Sequence, residues 1–122
     1  MKNISTWLHD KFLSATDYGI ARFPTALEFK IQHGAQEAEY ALYFLDNDLT
    51  PMHYVVELLC IKFHMRRDQA AVLMMEIHEN GSAEVMRNSL DVLEEVAEHL
   101  RQEAIRLDYM LECEISKLWI DV

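Results

Sequence analysis

The chain has 122 residues, 51% of them hydrophobic, with 21 acidic and 11 basic side chains and a formal net charge of -10. That length fits one domain with a core of its own, and only three glycines and two prolines argue against a loop-rich or disordered chain. The acidic balance repels phosphate backbones and anionic lipid, so nucleic acid and membrane surfaces are not expected partners.

Residues 1–39 mix apolar side chains (Trp7, Leu8, Phe12, Leu13, Phe23, Phe29, Ile31) with turn signals at Gly19, Pro24 and Gly34. Trp7, Leu8, Phe12 and Leu13 stand near helical spacing, which predicts a short amphipathic helix after Asn3 or Ser5. A second short helix is expected to begin at Pro24-Thr25. This stretch reads as an N-terminal extension, partly helical or flexible, ahead of a domain spanning 40–118.

The pattern sharpens at Tyr40. Tyr40 to Leu45 is aromatic and aliphatic and reads as a buried strand, broken by Asp46-Asn47-Asp48. Thr50-Pro51 predicts a helix start, with the threonine hydroxyl as cap and proline at the first helical position. Met52, Val55, Val56, Leu59 and Phe63 line one face of that helix. Arg66-Arg67-Asp68 separates it from a second, in which Ala70, Leu73, Met74 and Ile77 recur, and Asn80-Gly81 closes the second in a left-handed turn. Ser82 to Arg87 has strand length. Asn88-Ser89 is expected to cap a long third helix carrying Leu90, Leu93, Ala97, Leu100, Ala104 and Leu107. Tyr109 to Ile115 alternates as a half-buried strand. The expected fold is therefore α+β, in the order β-α-α-β-α-β, with a three-stranded antiparallel sheet against three helices.

Cys60 and Cys113 are the only cysteines, and two thiols beside a full apolar core suit a reducing compartment. No apolar run approaches the roughly 20 residues of a membrane helix. The start, Met1 to Trp7, has one basic residue and no signal-peptide core before Asp10. A cytoplasmic protein is expected.

Two segments stand out together: Asp46-Asn47-Asp48-Leu49-Thr50-Pro51-Met52 with Val55, and Leu73-Met74-Met75-Glu76-Ile77-His78-Glu79-Asn80-Gly81. The pair resembles the ClpS family, whose pattern is an Asn-Asp-Asp-x-Thr-Pro-Met loop followed by a Met-x-x-Val-His run ending near glycine. Two linked motifs at the right separation say more than either alone, and the pattern can be laid from about Tyr40 to Lys117 without a gap. The resemblance implies an adaptor that binds the bulky hydrophobic N-terminal residue (Phe, Leu, Trp or Tyr) of an N-degron substrate and delivers it to a ClpA- or ClpC-like AAA+ ATPase for proteolysis. It implies no catalysis, cofactor or metal, and a monomer. An α-ammonium needs acceptors and negative charge, and Asp46, Asn47, Asp48 and His78 match the family's amine-binding positions. Thr50, Met52, Val55, Met74, Ile77 and Leu111 match its hydrophobic pocket. Asp91, Glu95 and Val96 fall where the family docks its ATPase. The chain departs from the family pattern where Asp46-Asn47 reverses the usual Asn-Asp order, where Ile77 replaces valine, where Asp91 replaces a glutamate and Val96 a docking lysine, and in a leader that is longer and more apolar.

Other readings of these residues compete. Asp46-Asn47-Asp48 alone is a turn before a helix, a lone histidine such as His78 is commonly structural, and Met74-Met75 is ordinary core filler. Cys60 and His64, four apart, could be two metal ligands or a thiol–base pair. No second Cys or His pair has ligand spacing, and the apolar setting of Cys60 raises a thiol's pKa. No Gly-rich phosphate loop or serine elbow is present, and Glu94, Glu95 and Glu98 read as a solvated helix face. An alternative is a regulatory or interaction protein that keeps the fold but has lost N-degron binding or ATPase delivery.

Overall fold

The computed structural model describes residues 19–119; the helix expected after Asn3 or Ser5 lies outside them. In chain order the elements are α1 (Thr25–Gly34) with a 3-10 turn (Ala35–Glu37), β1 (Tyr40–Leu45), α2 (Met52–Phe63), α3 (Arg67–Asn80), β2 (Ser82–Asn88), α4 (Leu90–Arg106) and β3 (Cys113–Lys117). From β1 onward this is the expected β-α-α-β-α-β order. The short helix expected at Pro24-Thr25 precedes it.

The sheet is antiparallel with β1 in the centre, in the order β2-β1-β3. Leu42 faces Met86 on one side and Ile115 on the other, and Phe44 faces Ala83 and Cys113. Side chains two apart share a face of a strand, so Leu42 and Phe44 enter the core together, both with almost no exposure. A register shift between Leu42 and Tyr43 interrupts the β1–β2 ladder.

α2 is buried nearly all round, from Tyr54 to Leu59 and again at Lys62, which suits a helix enclosed by the fold rather than lying on it. Its two buried charges are paired: Arg67 Nη2 donates to Glu57 at 3.4 Å, and Lys62 Nζ donates to Glu103 Oε2 at 2.9 Å. α4 turns Val92, Leu93, Val96, Ala97, Leu100 and Ala104 inward, while Leu90 is partly exposed. Ile20, Phe23 and Leu27 belong to the same core cluster, so the stretch before β1 is packed into it.

Four local readings change. α2 begins at Met52, not at Pro51, which sits at the cap with extended backbone. The Thr50 hydroxyl donates to the Met110 carbonyl and does not cap the helix. Asn88 is the last, fully buried residue of β2, and Ser89 alone caps α4, accepting from the Val92 N–H at 3.4 Å. The final strand runs Cys113–Lys117, not Tyr109–Ile115. Its partner β1 ends at Leu45, whose N–H donates to the Glu112 carbonyl at 3.0 Å, so residues 109–111 lie beyond the ladder and form a connector with Glu112.

Candidate functional site

A small hollow, partly open to solvent and with about 20 Å3 of water-accessible space, lies at one end of β1. Four pieces of chain build it: the end of β1 with the following loop, the first turns of α2, the last turns of α3, and the connector before β3. Its lining is Phe44, Leu45, Asp46, Asn47, Thr50, Met52, Val55, Met74, Ile77, His78 and Leu111. Met74 and His78 are four apart on α3 and so share a face.

The floor is apolar and closed. Val55, Met74, Ile77 and Leu111 are each exposed by 7% or less. Met52, at 43% exposure, stands at the mouth because it occupies the first position of α2. The polar rim is Asp46 and His78, whose Oδ1 and Nδ1 are 3.6 Å apart with side chains 38% and 50% exposed. That separation is too long for a hydrogen bond. The two side chains are therefore not hydrogen-bonded to each other.

Two backbone contacts hold the loop that carries Asp46. The Asp46 N–H donates to the Gly81 carbonyl at 2.8 Å, and Gly81 itself closes α3 with a φ of +88° that only glycine adopts without strain. The Thr50 N–H donates to the Asn47 carbonyl at 3.0 Å, closing the loop as a turn. Asn47 spends its amide on structure: Oδ1 accepts from the Leu49 N–H at 2.7 Å, and Nδ2 donates to the Glu112 carboxylate. Asp48 is exposed and lies outside the lining.

The expected docking residues separate. Asp91 and Glu95 are exposed on α4, with Glu95 paired to Lys30 at 3.1 Å. Val96 is fully buried, which corrects its assignment to a docking surface, because its side chain packs in the core on the inward face of α4. The Cys60–His64 pair does not form a unit either. His64 lies past the end of α2 in left-handed conformation, with Nε2 3.4 Å from Glu28. Burial pushes the Cys60 thiol above its ordinary value and that of Cys113 to about 12. Among the described residues no group of three or more His, Cys, Asp or Glu is placed to hold a metal, and no helix is long and apolar enough to cross a membrane.

Sequence reasoning did not reach Phe44, Leu45, Met110 or Glu112. Phe44 and Leu45 adjoin the loop, and that adjacency was a usable signal. Met110 and Glu112 meet the loop only through the fold.

Residues 35–114 match the family model described as the ATP-dependent Clp protease adaptor protein ClpS. Among solved structures, the chain is similar to Agrobacterium tumefaciens ClpS2, in a structure with bound L-phenylalaninamide, at 27% identity and a TM-score of 0.57. The alignment covers 65% of this chain and 98% of ClpS2. With the matched family model spanning both halves of the hollow and most of the domain around it, this chain belongs to the ClpS family of Clp protease adaptors.

Proposed function

We propose that this chain captures proteins by a bulky hydrophobic N-terminal residue, Phe, Leu, Trp or Tyr with a free α-amino group, and hands them to a ClpA- or ClpC-type ATPase for proteolysis. It acts in this reading as a cytoplasmic monomer and catalyses nothing. The observation that carries it is the division of the hollow into a buried apolar floor and a rim with Asp46 and His78. Burying a large side chain against that floor contributes about 2–3 kcal/mol. An α-ammonium carries three donors and a positive charge; the Asp46 carboxylate matches the charge, and a neutral His78 nitrogen accepts a further bond. Phenylalaninamide, held by ClpS2, presents the same benzyl group and free amine as the first residue of a Phe-initiated chain. For docking, the exposed Asp91 and Glu95 are the candidates.

A Phe-initiated fluorescent peptide tests the reading, titrated with its amine free and acetylated. The free peptide is expected to bind in the micromolar range or tighter. Acetylation removes the charge and two donors, leaving acceptors unpaired at about 1–3 kcal/mol or more, and should abolish binding. Equal affinity for both peptides would refute amine capture. Binding of neither would favour a family member that keeps the fold as a regulatory or interaction protein.

A further inference from the structure

The connector 109–112 clasps the site loop at the wall of the hollow. Asn47 Nδ2 donates to the Glu112 carboxylate and lies 3.3 Å from Met110 Sδ. The Thr50 hydroxyl donates to the Met110 carbonyl, and the Glu112 carbonyl accepts from the Leu45 N–H at 3.0 Å. Leu111, between these two clasps, is buried and lines the hollow. The loop and this wall are thus one bonded unit.

Residue 47 has to be a donor and an acceptor at once. Its side-chain oxygen takes the Leu49 N–H at 2.7 Å while its nitrogen serves Glu112. A carboxylate could keep the first contact. It has no hydrogen for the second and would set a negative charge against Glu112. Residue 46 has no such constraint: Asp46 meets His78 at 3.6 Å, and its backbone alone ties it to Gly81. The order Asp46-Asn47 follows from these neighbours, with the carboxylate on the rim and the amide on the clasp.

We infer that Glu112 is a positioning residue for this site: by holding the Asn47 amide it sets the loop that carries Asp46 and makes residue 47 a position that rejects a carboxylate. Glu112 touches no ligand in this account and acts through Asn47.

The experiment is a cycle of four full-length proteins, wild type, Asn47→Asp, Glu112→Gln and the double variant, each measured for Phe-initiated peptide binding and for Tm. Glu112→Gln alone retains an acceptor oxygen for Asn47 and should bind within about twofold of wild type. Asn47→Asp alone should weaken the peptide by about fivefold or more, because two carboxylates meet at the clasp. In the double variant the amide introduced at position 112 donates to the carboxylate introduced at position 47. The bond re-forms with donor and acceptor exchanged, and binding should recover to within about twofold. An equal loss from Asn47→Asp in both backgrounds overturns the inference, as does no loss in either. Rescue of Tm without rescue of binding makes Glu112 a clasp of the fold and not of the site. The binding arm rests on the amine-capture reading. If wild type binds no peptide, that reading fails, and the Tm values of the four proteins still decide whether residues 47 and 112 are coupled.

Discussion

Lys62 and Glu103 are buried residues, each 2% exposed, and with the half-buried His99 they form a polar cluster at the apolar core. Lys62 Nζ sits 2.9 Å from Glu103 Oε2 and 2.9 Å from His99 Nε2, with the Phe23 ring centroid 5.0 Å away. Removing one partner of such a pair leaves an uncompensated charge, at about 3–5 kcal/mol. Burial, and then the Lys62 ammonium, hold the His99 pKa below its ordinary 6.5, so at neutral pH the ring is neutral and accepts from Lys62. The unfolded chain takes up a proton in the window between that lowered value and 6.5, where folded His99 still resists it. Stability from this group is therefore full above 6.5 and falls as pH drops through the window. Thermal unfolding followed from about pH 8 to about pH 5 should show a smaller loss of Tm in His99→Gln, which keeps an acceptor but cannot titrate. Parallel curves for the two proteins would show that His99 is not a source of the pH dependence.

Among the elements, α1 shows how a tertiary contact reverses a local preference. Gly34 ends the helix at a φ of -83°, where alanine would normally stabilise by about 0.5–1 kcal/mol. A Cβ there would overlap the Asn88 side-chain oxygen. Asn88 is fully buried: its amide donates to the Ile31 carbonyl at 2.8 Å, and its oxygen accepts from the Ser89 N–H at 2.9 Å. One side chain thus joins the end of α1 to the start of α4. Gly34→Ala should destabilise the protein by about 1–3 kcal/mol through the loss of these buried bonds, measured by urea unfolding. A stabilised variant would mean that Asn88 can move aside at no cost. The same logic explains the reassigned caps. Thr50 and Asn88 are good capping residues by type, but each found a stronger partner elsewhere in the fold, Met110 in one case and Ile31 in the other.

For the molecule as a whole, the family match begins at residue 35, yet the core reaches back to Ile20, Phe23 and Leu27. Phe23 packs edge-on to Phe63 and His99, with centroids 5.7 and 5.2 Å away. Phe23→Ala should lower stability by about 3–5 kcal/mol, read from chemical denaturation with peptide binding as a check on the folded fraction. A change under about 1 kcal/mol would show that the segment before β1 covers the core without supporting it.

The element order was legible because local signals agreed: an aromatic run for β1, three- and four-residue spacing in the helices, and Gly81 at a turn that demands positive φ. The two halves of the hollow were legible as motifs, since the first flanks the start of α2 and the second the end of α3. The chain alone thus determined the order and type of the elements and most of the apolar stripe of each helix, both being consequences of backbone period and side-chain polarity over a few residues. It did not determine what those residues bond to. Val96 stands three after Leu93 and four before Leu100, so its spacing marked it for the core and only the resemblance suggested docking, whereas Asp48 reads as the equal of Asp46 until the loop turns it out of the hollow. Asn47 and Glu112 stand 65 positions apart, and Tyr109 to Leu111 alternates like a strand but lies past the end of β1. Such contacts arise only when the chain closes on itself, and no period along the sequence encodes them. Tertiary structure alone decided that Asn47 would serve the fold and Asp46 would face the opening.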